Sequence, residues 1–226
     1  MEDNSTRAPF GTLLGLAPGD VPVYSSNYEE GADGLERSDF VSQLDEIYMG
    51  YKWQCVELAR RWLYCTRGLI FDEVGMAYEI FSLTELRTPD GSQHLPLQSF
   101  RNGSRRAPEV GCMLIWDEGG DFEHTGHVAI VTHVHEDRLC IIEQNNHDAV
   151  WPDGQDYSRE IQLRRAYDGG VWLRAPMKEG TIMGWVIQTD DARHAQPRIR
   201  PNDALMSLRD HEIPEKDRVE GSWFNE

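Results

Sequence analysis

A chain of 226 residues, 39% hydrophobic and 10% aromatic with seven tryptophans, has the apolar material for one packed domain plus a tail, which excludes a disordered protein. A net charge of −17 argues against nucleic acid as a partner, because phosphate binding needs clustered Lys and Arg. Ten acidic residues against two basic ones in the first fifty positions suit a cationic ligand or a solubilising surface.

Residues 9–19 are rich in Gly and Pro and read as an ordered loop anchored by Leu13, Leu14 and Leu16. Residues 21–24 form a short strand, 25–42 a turn-rich acidic stretch, and 40–48 a short helix. A helix then runs from Cys55 to about Cys65 and is stopped by Gly68, with Val56, Ala59 and Leu63 at helical spacing, Leu58 and Trp62 widening the apolar face, and Glu57, Arg60 and Arg61 turned to solvent or a cleft. A second helix is expected near 76–86, and Pro89-Asp90-Gly91 is a turn. After Pro108 the pattern changes to strands at 112–117, 126–134, 138–145, 160–165, 171–174 and 182–188. Helices first and an antiparallel sheet second predict an α+β domain over residues 8–190, followed by a polar extended tail over 191–226.

The four cysteines, Cys55, Cys65, Cys112 and Cys140, form no CxxC pair, and the N-terminus lacks the basic start and apolar core of a secretion signal. No run has the length of a membrane span, so no membrane partner is expected. These features predict a reducing, cytoplasmic setting.

Cys55 in the first turn of its helix feels unpaired N–H groups and the positive end of the helix dipole, which favour thiolate. Gln54 could aim its amide NH2 at the oxygen of a carbonyl under attack. Such a nucleophile needs an imidazole base and a group to orient it. His127 opens one strand while Glu143 and Asn145 close the next, so both ends meet at one edge of the hairpin. A three-residue loop centred on Glu136 puts His127 opposite Asn145 with Glu143 one pleat along. A loop centred on His135 puts it opposite Glu143, and a two-residue turn leaves Glu143 on the wrong face. An odd loop or a bulge is therefore expected. His124, His133, His135 and His147 lie in loops or toward the far end of the strand, and no Cys pair completes a zinc set, so neither metal nor cofactor is expected.

Tyr51-Lys52-Trp53-Gln54-Cys55-Val56-Glu57, Thr125-Gly126-His127-Val128-Ala129-Ile130 and Glu143-Gln144-Asn145 together resemble the CHAP (cysteine, histidine-dependent amidohydrolase/peptidase) family, which is papain-like. Residues 8–15, 75–83, 114–117 and 184–189 extend the resemblance to the amidase domains of glutathionylspermidine synthetase/amidases and trypanothione synthetases. The resemblance implies a nucleophile at a helix N-terminus packed on an antiparallel sheet, with Cys55 as nucleophile, His127 as base and then acid, Glu143 as orienter and Gln54 at the oxyanion. Arg60 and Asn145 become candidate substrate contacts. It implies hydrolysis of a small glutathione-polyamine conjugate, glutathionylspermidine or trypanothione, and a partner synthetase domain in longer relatives. The broader family also allows a peptidoglycan amidase or endopeptidase, and loss of turnover would leave a polyamine or glutathione-conjugate binding module.

Overall fold

The computed structural model describes residues 7–197. The expected tail from 198 onward lies outside the described residues. The chain opens with a hairpin of β1 (Leu13–Ala17) and β2 (Val21–Tyr24) where an ordered loop was expected, closing through Gly19 and Asp20, both at positive φ. A second hairpin, β3 (Val41–Leu44) and β4 (Ile47–Tyr51), replaces the helix expected over 40–48. Its two-residue turn is Asp45-Glu46 at φ 51° and 63°, a left-handed pair that Asn-Gly normally signals and these residues do not.

The helix α1 (Cys55–Arg67) has Cys55 as its first residue and ends on Gly68, whose φ of 66° lets its N–H reach back to the Leu63 and Tyr64 carbonyls. Leu58, Ala59, Trp62 and Leu63 are buried against the sheet with Val128, Ile130 and Ile142. The expected second helix is a 3-10 turn, Ala77–Ser82, followed at once by β5 (Glu85–Arg87). Next comes β6 (His94–Arg101), a strand the sequence pattern hid because it carries Pro96.

Six strands complete the main sheet: β7 (Met113–Trp116), β8 (His127–Val134), β9 (Arg138–Ile142), β10 (Arg159–Arg165), β11 (Val171–Arg174) and β12 (Ile182–Gln188). All neighbours are antiparallel, in the order β11-β10-β9-β8-β7-β12-β6-β5. The sheet curls until the chain after β6 meets β11, where Val171 N–H donates to the Ser104 carbonyl and Gly103 N–H to that of Val171. Inside the curl lies a second core built on Phe100, Leu114, Trp116, Ile141 and Trp185, each essentially inaccessible to solvent. Among the described residues the domain is thus α+β, with α1 packed on one face of the antiparallel sheet and an aromatic core on the other. Among the described residues no helix is long and apolar enough to cross a membrane.

Candidate active site

The β8–β9 hairpin decides which polar groups meet. His135 N–H donates to the Arg138 carbonyl, leaving a two-residue turn, and the register runs Val134↔Leu139 and His133↔Cys140. A bulge between Val131 and His133 then shifts the pairing to Val131↔Ile141 and Ile130↔Ile142. The pairing ends at Ile130↔Ile142, which leaves Glu143, the next residue, on the His127 face, while Asn145, at φ 60°, lies beyond the strand. The two-residue turn alone would have turned Glu143 away, and the bulge restores it.

His127 and Glu143 consequently share a buried hydrogen bond of 2.9 Å between Nε2 and Oε2, with side-chain exposures of 1% and 3%. Phe122 stacks on the imidazole at 4.3 Å and 7°, and Trp116 meets it edge-on at 5.4 Å. Gly126, just before His127, sits at φ +60°, and a Cβ there would lie 2.6 Å from the Trp116 carbonyl oxygen, so the approach to His127 requires glycine. On its other side the imidazole neighbours Cys55, and each of the two groups shifts the protonation of the other. With Nε2 engaged by Glu143, Nδ1 is left for the thiol.

Burial by itself pushes the Cys55 thiol up. The charge and hydrogen bond of His127, with the backbone N–H groups of Val128 and Val56, outweigh it and hold the thiol below its ordinary range. Burial opposes protonation of His127, but Cys55 and Glu143 together raise it to about 9. Glu143 is held well below the usual carboxylate range, its burial being overcome by Arg159 and His127. Both shifts run toward a thiolate beside an imidazolium.

Gln54 precedes the helix, and its amide is fixed at both ends. Its Nε2 donates to the Tyr28 hydroxyl at 2.6 Å, and its Oε1 accepts from Asn145 Nδ2 at 2.7 Å. Tyr28 passes its own proton to the Lys52 carbonyl, and Asn145 Oδ1 accepts from Ser26. One Nε2 hydrogen of Gln54 remains available to an incoming oxygen. Arg60 is only 4% exposed and lies over the rings of Tyr48 and Phe71 at 5.9 and 5.6 Å, and its Nε has no hydrogen-bond partner among the described residues. Glu57 and Arg61, expected at solvent or a cleft, are instead buried partners in an i,i+4 ion pair at 2.7 Å.

Several residues at the site gave no signal in the sequence. Arg159 grips Glu143 with Nε at 2.5 Å and Nη2 at 3.1 Å, and Asn146 adds a third donor at 3.0 Å. Phe122 comes from the 3-10 turn Gly120–Phe122 just before β8, and Tyr28 from the loop between β2 and β3. Among the described residues no cluster of three or more His, Cys, Asp and Glu side chains is placed to hold a metal. All four cysteines are free thiols.

Residues 46–145 match the family model of the CHAP domain. The chain is 45% identical over 225 residues, 98% of its length, to the bifunctional glutathionylspermidine synthetase/amidase of Escherichia coli (strain K12). Trypanothione synthetase of Crithidia fasciculata is 34% identical over 184 residues, 80% of this chain. Glutathionylspermidine synthase of the same organism is 32% identical over 197 residues. The chain spans 36% of the length of the first relative and 27% of the other two.

Proposed function

We propose that this protein is a cysteine amidase that hydrolyses the amide joining glutathione to spermidine in glutathionylspermidine. The observation that carries the proposal is the buried hydrogen bond of His127 to Glu143 beside the Cys55 thiol, with Cys55 the first residue of α1. The names of the relatives supply the substrate class.

In this reading the Cys55 thiolate attacks the glycyl carbonyl, and the oxyanion is received by a Gln54 Nε2 hydrogen and a backbone N–H at the helix start. The His127 imidazolium gives its proton to the departing spermidine amine, leaving a glutathionyl thioester. Neutral His127 then takes a proton from water, which attacks the thioester and releases glutathione and Cys55. Glu143 keeps the imidazole oriented throughout. Arg60 and Asn145 are proposed substrate contacts. Asn145 acts at the same time through its hydrogen bond to Gln54. Four free thiols fit a reducing, cytoplasmic setting, and the relatives' names fit a synthetase domain as the partner in longer chains.

Incubating the purified chain with glutathionylspermidine, with Cys55→Ala in parallel, should release glutathione and spermidine from the parent alone, as read by mass spectrometry. Product from the Cys55→Ala protein would overturn the assignment of the nucleophile. No product from a folded parent would overturn the substrate.

A further inference from the structure

The line of groups at the site does not end at Glu143. Arg159, on β10, spends all three guanidinium nitrogens on two buried carboxylates: Nε and Nη2 on Glu143, and Nη1 on Glu179 Oε1 at 2.9 Å. Its planar face lies over the Trp116 ring at 5.8 Å, the same ring that meets His127 edge-on. Glu179 sits in the 3-10 turn Met177–Glu179, and its side chain is 0% exposed. Cys55, His127, Glu143, Arg159 and Glu179 thus form a buried row of alternating charge drawn from five separate segments.

We infer that Arg159 is a positioning residue for the Cys55–His127 pair, holding Glu143 as the ionised, fixed partner of the imidazole, and that Glu179 anchors the guanidinium in turn. The argument rests on what each member would do alone. A carboxyl group as buried as Glu143 takes up a proton unless a cation faces it. A neutral carboxyl stabilises an imidazolium far less, so His127 would lose its proton more easily and Cys55 would keep its own. The fork geometry adds direction: two parallel N–H donors fix the carboxylate plane, and with it the Oε2 lone pair that receives His127 Nε2–H. A lysine could supply charge without the fork.

The groups facing this row come from every packed element. Glu143 is met by His127 of β8, Arg159 of β10 and Asn146, and its backbone by Ser158. His127 is met by Cys55, Phe122 and Trp116. Arg159 is met by Glu143, Glu179 and Trp116. The contact between the two short turns is close as well. A Cβ on Gly120, beside Phe122, would lie 2.1 Å from the Lys178 carbonyl oxygen, next to Glu179.

This inference rests on the reading of Cys55 and His127 as the reacting pair, so its test uses no substrate. The rate of Cys55 alkylation by iodoacetamide, followed by peptide mass spectrometry from about pH 5 to 10, reports the thiolate directly. Arg159→Met should raise the alkylation midpoint by about one pH unit or more, a loss of roughly tenfold in rate on the acid side. Arg159→Lys and Glu179→Gln should move it the same way by less. A folded Arg159→Met protein with the parent's midpoint would overturn the inference. Should that variant fail to fold, unmoved midpoints in both Arg159→Lys and Glu179→Gln would overturn it equally. Failure of the parent to release spermidine would count against the proposed substrate and leave this result standing.

Discussion

Two buried ion-pair systems flank Cys55, one behind its helix and one behind its histidine, and they are built on different plans. Behind the helix every valence is used. Glu57 receives Arg61 Nε and Nη2, Ser42 Oγ and Gln144 Nε2, while Gln144 Oε1 receives Arg61 Nη2 and the Tyr24 N–H. Arg61 Nη1 closes on the Pro22 carbonyl, and the guanidinium lies near the rings of Tyr24 and Trp53. Behind the histidine the row is linear, and its last atom, Glu179 Oε2, has no partner among the described residues. A closed network fixes where four chain segments stand, while an open row of alternating charge fixes which groups are ionised. The first locates the thiol, and the second sets its protonation.

Glu143→Gln should break that division most severely. It preserves shape and removes the charge that faces the imidazolium, so turnover should fall by about 10²–10⁴. The pH window should also narrow from both sides, because in the parent His127 is raised to about 9 and the Cys55 thiol is lowered from its ordinary range. The same substitution has a stability signature. Glu143 ionises more readily folded than unfolded, where its value is 4.5, so its contribution is present above that pH and lost as pH falls toward the folded value. Urea midpoints of the variant should therefore be lower at pH 7 and flatter on acidification.

Arg61→Met tests the other plan. Leaving Glu57 buried without its cation should cost about 3–5 kcal/mol in urea unfolding. The midpoint of Cys55 alkylation should stay near the parent's in whatever fraction remains folded. A shift as large as that expected of Arg159→Met would dissolve the distinction between the two networks.

The plan of the domain and the heart of the site were legible in the sequence because they depend on local chemistry. Helical spacing and Gly68 define α1, so the position of Cys55 at its start follows. The alternation after Pro108 announces the strands that bring His127 and Glu143 together, and the need for both on one face demanded an odd loop or a bulge, of which the chain uses the bulge. What stayed hidden depends on contacts between distant segments. Nothing local marks Arg159, on β10 between half-buried Ser158 and exposed Glu160, as the partner of Glu143. Glu57 and Arg61 looked like solvated helix residues, since burial of a charged pair is decided by Gln144 and Ser42 from elsewhere in the chain. The Asp45-Glu46 turn misled because its left-handed residues lack the usual glycine.

Gln54 separates orientation from ionisation on a finer scale. If its remaining amide hydrogen receives the oxyanion, Gln54→Ala should lower kcat by about 10²–10³ with little change in the Cys55 alkylation profile, because the amide stabilises a charge that exists only during reaction. Tyr28→Phe is the milder probe. It removes the hydroxyl that accepts Gln54 Nε2–H while leaving Asn145 on the opposite end of the amide. Losing one such bond is worth about 1 kcal/mol, hence a fall of roughly fivefold in kcat. The ring should keep its place, since Phe10 and Phe40 pack against it at 5.0 and 5.8 Å. A Tyr28→Phe loss that matches Gln54→Ala would show that the hydroxyl alone aims the amide. An unchanged kcat would show that Asn145 suffices.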